Sequence, residues 1–253
     1  MEYSPYDLTR FLNIDVVGYM RQNSIAVLDA DKIADHLAAV VISQEQISRQ
    51  LDLLSGALYH DYQSRGITDL VVINVLNGAT PTHGRIVWAL QDQGMYITPD
   101  SIKVSRYGEH LHASSTLNIS QEPMINPQSR HILLVEDLVD EGATAHHLLQ
   151  YYTQRHPKSL RMVSLAQKPG KSQYQLTNSH QGVSYDYHAA INVGHHWLVG
   201  FGMDLSFEDA AGKHTLYRGL PFVAAANPQF LKKVGQLDKQ GAEKLGRLLE
   251  RAA

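Results

Sequence analysis

Three acids and a glycine turn stand between an apolar run and a helical pattern in residues 131–152, HILLVEDLVDEGATAHHLLQYY. Glu136 and Asp137 close the apolar run; after two more apolar residues, Asp140, Glu141, Gly142, Ala143 and Thr144 lead into the helix. An ionised carboxylate is an acceptor with two oxygens, so Glu136 and Asp137 suit the hydroxyls of a sugar. A glycine turn before a helix points backbone N–H groups at a ligand, and the positive end of the helix reinforces them, which makes an anion site. A phosphorylated sugar satisfies both halves. A strand ending in solvated acids would look the same at this one place, so support has to come from elsewhere in the chain.

The elements that position these residues follow from the hydropathy pattern. DLVVINVLNG is a nearly unbroken apolar run ending in Asn-Gly, which fits a strand buried on both faces, and PTHGRIVWALQDQG reads as a helix closed by Gly94. SIKVSRYG is a further strand, and EHLHASSTLNISQEP suits a mobile loop or exposed hairpin. Strand, helix, strand recurs in HILLVED, ATAHHLLQYYTQRH and RMVSLAQK; WLVGFGMD and LPFVAAA supply two more strands. ISQEQISRQLDLLSGALYHDYQSRG places Ile47, Leu51, Leu54 and Leu58 at helical spacing, with Ser43 as N-cap and Gly66 as stop. The expected class is α/β, with a mostly parallel sheet that carries its ligand at the C-terminal ends of the strands. Residues 1–38 read as an N-terminal helical extension, 39–227 as the main domain and 228–253 as a Lys-rich C-terminal helix.

The bulk numbers exclude several other classes. The chain has 253 residues, 43% of them hydrophobic, and no cysteine, so a sizeable core is expected without disulfides or thiolate metal sites. A net charge of −3 gives no sign of a nucleic-acid partner or an anionic membrane surface. No stretch approaches the roughly 18 apolar residues of a membrane span, and the N-terminus has no basic region before an apolar run; a soluble, cytoplasmic protein is expected. The pairs His146-His147 and His195-His196 do not make a zinc pattern, because helical neighbours point in different directions and no second pair is spaced to join them.

VEDLVDEGAT resembles the phosphoribosyl-diphosphate (PRPP) binding motif of type I phosphoribosyltransferases, most of all the hypoxanthine-guanine branch, with its Glu-Asp opening and Asp-x-Gly-x-Thr. Three more segments are similar to that branch in the right order: VVINVLNGATPTHGRIVWAL, SRYG, and WLVGFGMDLSFEDAAGKHTLYRGLPFVAAA. The resemblance covers roughly residues 40–226 and implies a twisted, mostly parallel sheet flanked by helices, with a small hood.

The resemblance also implies an activity: Mg2+-dependent transfer of the phosphoribosyl group from PRPP to a purine base, hypoxanthine or guanine, as in purine salvage. It assigns Asp140 as the catalytic acid or base. Glu136, Asp137, Asp140, Glu141, Gly142, Ala143 and Thr144 would hold the ribose and 5′-phosphate. Leu76, Asn77, Gly78 and Arg218 would hold the diphosphate; Lys168, Trp197 and Leu198 the base; Asp204, with Glu136 and Asp137, the metal. Arg106 and Tyr107 would belong to a lid, and a homodimer or homotetramer is implied. The chain departs from the pattern at Glu141, where the family has Thr, at Asn77, commonly Lys, and at Arg106, commonly Ser; SFEDAAGKH also lengthens the link between Asp204 and Tyr217. These departures keep two alternatives open, a nucleotide-binding regulator without turnover and a phosphoribosyltransferase for another base.

Overall fold

The computed structural model describes residues 1, 3–8, 14–106, 117–170, 174–180, 182–209 and 211–250. The elements are, in chain order, β1 (Tyr6–Leu8), α1 (Val16–Gln22), α2 (Ala30–His36), β2 (Leu37–Ile42), α3 (Gln44–Ser64), β3 (Asp69–Leu76), α4 (Thr80–Asp92), β4 (Tyr96–Arg106), β5 (Leu117–Gln121), β6 (His131–Val139) and α5 (Ala143–Thr153). They continue with β7 (Ser159–Gln167), β8 (Asn178–His180), β9 (Val183–Val193), β10 (Leu198–Val199), β11 (Leu205–Asp209), β12 (Gly212–Leu216), β13 (Val223–Ala226), α6 (Pro228–Lys233) and α7 (Lys239–Glu250). The chain forms two compact units, one of Met1–Tyr6 and Arg49–Asn192, the other of Asp7–Ser48 and Val193–Ala253.

The first unit is built on a sheet in the order β1-β9-β7-β6-β3-β4-β5, with β8 paired to β9. β9, β7, β6, β3 and β4 run parallel, and β5 is antiparallel to β4. The apolar runs behave as fully buried strands: Leu70, Val71, Val72 and Ile132 to Val135 are all 0% exposed. From β3 the chain crosses through α4 to β4 on one side, and from β6 through α5 to β7 on the other. The strand order therefore reverses between β3 and β6, and an α/β sheet opens a ligand crevice at the C-terminal ends of such a pair.

The long helix α3 starts as its sequence requires. The Ser43 hydroxyl accepts from the Gln46 N–H at 3.2 Å, and Gln46 Oε1 accepts from the Ser43 N–H at 2.8 Å, a reciprocal cap. Ile47, Leu51, Leu54 and Leu58 are all buried, and Gly66, at φ +67°, ends the segment in the left-handed region. β7 buries a charge: Arg161 bonds Asp186 through Nε at 2.6 Å and Nη2 at 2.8 Å, and reaches Asp61 through Nη1 at 3.0 Å.

The second unit holds a three-stranded antiparallel sheet in the order β10-β13-β2 and a core that includes Val17, Met20, Ile33, Phe222 and Phe230. Its composition differs from the boundaries at 38/39 and 227/228 expected from sequence. β2 pairs with β13 from Leu37↔Ala226 to Ile42↔Val223, which ties the N-terminal segment to the C-terminal one. The tail is two helices rather than one, because Gly235, at φ +72°, breaks it after α6. WLVGFGMD extends as a strand only at Leu198–Val199 before turning at Gly200, and the inserted SFEDAAGKH forms most of the β11–β12 hairpin.

Candidate active site

In the first unit, three segments from the sequence reading meet at the C-terminal ends of β3, β6 and β7. Lys168 follows β7; its N–H donates to the Val139 carbonyl at 3.0 Å, which fixes it beside the end of β6. Its side chain is 7% exposed, and Nζ donates to Asp140 Oδ2 at 2.8 Å. Gly142, at φ 85°, caps α5 in the left-handed region and has no side chain to occupy the helix's positive end. Glu136, Val139, Asp140, Gly142 and Thr144 line a cavity of ≈ 60 Å³ here. Glu136 is buried, Asp137 and Asp140 are half-buried, and Glu141 is exposed to solvent. A larger groove of ≈ 550 Å³ lies at the opposite, N-terminal ends of β7 and β9, lined by Tyr62, Arg161, Tyr185 and Asp186.

The turn after β3 is braced by residues that the sequence reading did not single out. Buried Asn74 donates to the Thr80 hydroxyl at 3.2 Å, and that hydroxyl donates to the Asn77 carbonyl at 2.9 Å. A lone amide in the apolar run DLVVINVL was the available signal. The Leu76–Asn77 peptide is cis, and the Asn77 side chain is exposed. A Cβ at Gly78 would overlap the Asp137 carboxylate, so a side chain there would require that carboxylate to move. Behind the turn, His83 bonds the Val72 carbonyl at 3.1 Å, and burial pushes its imidazole below the ordinary value.

In the second unit, Asp204 and Arg218 form one network. Arg218 Nη2 lies 2.5 Å from Asp204 Oδ1, Nη1 donates to the Gly202 carbonyl, and the Ser206 hydroxyl donates to Asp204 Oδ2. Backbone bonds hold the partners: the Gly202 N–H donates to the Arg218 carbonyl and the Phe201 N–H to the Leu220 carbonyl, both at 2.9 Å. Gly200 is required at its own turn, where a Cβ would strike the Phe222 carbonyl. Trp197 is half-buried against the core of its own unit, and Leu198 is buried opposite Ala225. Ser206 is a further residue that the sequence alone did not reveal, since nothing in SFEDAAGKH marks its hydroxyl as the partner of Asp204. Arg106 ends β4 opposite Leu117, and Tyr107 lies outside the described residues.

Among the described residues, no group of three or more His, Asp or Glu is placed to hold a metal ion. Asp204 is a hard oxygen donor, 25% exposed, which fits a cation that takes one or two carboxylates and completes its shell with water and ligand oxygens. No helix among the described residues is long and apolar enough to cross a membrane.

A hypoxanthine-guanine phosphoribosyltransferase of Bacillus subtilis (strain 168) is 27% identical over 189 residues, 75% of this chain and 93% of the relative. A hypoxanthine-guanine-xanthine phosphoribosyltransferase of Tritrichomonas foetus is 30% identical over 190 residues, 75% of this chain and 91% of the relative. For the fold, a solved hypoxanthine phosphoribosyl transferase of Trypanosoma cruzi aligns over 80% of this chain and 98% of its own, with a TM-score of 0.67 at 24% identity. The sequence model of the phosphoribosyl transferase domain matches residues 43–196, more than half of the chain, and the protein belongs to that family.

Proposed function

We propose that the protein transfers the 5-phosphoribosyl group from PRPP to a 6-oxopurine, hypoxanthine or guanine, releasing diphosphate and a nucleoside 5′-monophosphate. The observation that carries this reading is the ion pair between Asp140 and buried Lys168 beside the Gly142 turn. A cation and a carboxylate thus stand beside the N-terminus of α5, which supports proton exchange next to a bound anion. In the reaction, N9 of the purine bonds to C1 of the ribose as the C1–O bond to diphosphate breaks, and Asp140 takes the proton that leaves the base. The transition state is cationic at the sugar, so the Glu136, Asp137 and Asp140 carboxylates stabilise it. Lys168 is a fixed donor; it favours a 6-oxo group over the 6-amino group of adenine, which is itself a donor.

Glu136 and Asp137 are proposed to hold the ribose hydroxyls, and Gly142, Ala143 and Thr144 the 5′-phosphate. In the second unit, Trp197 offers an aromatic face and Leu198 its backbone to the base, Arg218 binds diphosphate, and Asp204 binds Mg2+. When bound, Mg2+ would neutralise charge on the diphosphate oxygens. Leu76, Asn77 and Gly78 present backbone to the same group, and Arg106, at the end of β4, belongs to a lid. The assay is diphosphate release from PRPP and Mg2+ with a panel of nucleobases. Turnover with hypoxanthine or guanine is expected, falling by about two to four orders of magnitude in Asp140→Asn with PRPP affinity retained. PRPP binding without turnover on any base would instead identify a regulator.

A further inference from the structure

We infer that Arg218 is a latch on Asp204: it closes that carboxylate in the ligand-free protein, and diphosphate opens it, so that metal and diphosphate bind with positive coupling. This rests on the roles proposed above for the two residues. Both oxygens of Asp204 are engaged, Oδ1 by the Arg218 guanidinium at 2.5 Å and Oδ2 by the Ser206 hydroxyl. A divalent cation approaching Oδ1 meets a full positive charge already seated there, so the pair competes with the metal. The guanidinium is braced in this position by its second bond, from Nη1 to the Gly202 carbonyl.

The scaffold around the pair is pinned by backbone bonds, while both side chains reach solvent. Gly202 and Arg218 are joined through the backbone at 2.9 Å, the Leu220 N–H donates to the Tyr217 carbonyl at 3.1 Å, and the Tyr217 hydroxyl bonds His36 Nδ1 at 2.7 Å. The Arg218 and Asp204 side chains are 35% and 25% exposed. A guanidinium presents a planar fork that matches phosphate oxygens as well as carboxylate oxygens. Diphosphate, with several charged oxygens, therefore draws the fork away from Asp204. Oδ1 is then free for a cation while Ser206 keeps the carboxylate oriented. No covalent bond or proton transfer is involved.

The latch makes two reciprocal predictions on the full chain. Arg218→Gln should bind Mn2+ alone about tenfold more tightly than the parent, read by electron paramagnetic resonance, and Asp204→Asn should bind inorganic diphosphate in chelator about tenfold more tightly, read by calorimetry. The variants attack the pair from opposite sides, so one that fails to fold leaves the other to decide. Arg218→Lys separates a latch from simple repulsion: it keeps the charge but replaces the fixed two-nitrogen fork that spans Asp204 and the Gly202 carbonyl with a single, mobile ammonium, so Mn2+ affinity should still rise. Parent-like affinities in both Arg218→Gln and Asp204→Asn would overturn the latch. If Mn2+ binds neither the parent nor Arg218→Gln, and diphosphate binds the parent and Arg218→Gln equally weakly, the proposed roles of the two residues fall together with it.

Discussion

Glu141→Thr probes the turn directly, because Glu141 carries the wrong charge for an anion site. A carboxylate held 4 Å from a phosphate at an effective dielectric near 20 would repel it by about 4 kcal/mol per charge pair, enough to cancel several hydrogen bonds. Glu141 is exposed, however, and in a water-like dielectric the same separation costs about 1 kcal/mol per pair. A phosphate monoester carries about 1.5–2 charges at neutral pH, so the expected gain on removing the carboxylate is about 1–2 kcal/mol. That corresponds to roughly fivefold to thirtyfold tighter binding of a nucleoside monophosphate. The unphosphorylated nucleoside should bind both proteins alike. Because an exposed charge is screened over a Debye length of about 8 Å at physiological ionic strength, the gain should shrink as salt rises. Calorimetric titration of parent and variant with inosine and its 5′-monophosphate, at two salt concentrations, reads all of this. If the parent binds the nucleoside more tightly than the monophosphate, the turn is not a 5′-phosphate cradle and the roles proposed for Gly142, Ala143 and Thr144 fall. A thousandfold gain would mean that the carboxylate faces the phosphate, contrary to its exposure.

Lys168→Ala should weaken 6-oxopurines by about 1.5–3 kcal/mol, the worth of a hydrogen bond to a charged donor, while adenine is much less affected; competition binding showing equal losses would remove the O6 role. Asp186→Asn should cost about 3 kcal/mol of stability in denaturant unfolding, at the low end for a broken buried pair because Asp186 is 28% exposed. Burial by itself would raise the Asp186 carboxyl, but hydrogen bonds from His188 and Arg161, with their charges, outweigh it and hold it well below the usual carboxylate range. With the folded value depressed, this stabilisation is complete above the unfolded value of about 3.9 and is lost as pH falls below it toward the folded value. Asp186→Asn should therefore flatten the acid limb of the stability profile, and an unchanged limb would assign the acid sensitivity elsewhere.

How much of this was legible in the sequence depended on whether a residue's partners are close to it in the chain. β3, β6 and β7 could be read because strands buried on both faces are unbroken apolar runs, and α3 because its cap and its apolar stripe lie within one segment. β9 escaped because its polar residues look like loop until their partners are known. Asp186 belongs with Arg161, twenty-five positions earlier, and the Tyr187 hydroxyl with Ser164 at 2.6 Å. β2 was hidden for the same reason, its partner β13 lying near the other end of the chain.

The site divides along the same line. The motif from Glu136 to Thr144 names groups that converge through local geometry, a strand end, a left-handed glycine and a helix start, and such geometry follows from sequence. Which donor takes which oxygen does not, because Lys168 reaches Asp140 from twenty-eight residues away and Ser206 shares Asp204 with Arg218 only once the β11–β12 hairpin is folded. The departures at Asn77 and Glu141 show what this means for function. Both side chains are exposed, and Asn77 enters the turn through its carbonyl, which accepts from Thr80. An anion cradle made of backbone N–H groups tolerates such changes far better than one made of side chains, since its donors are present whatever the residue. The position in these turns where backbone shape itself is at stake, Gly142 at its positive φ, is where substitution should damage the site most.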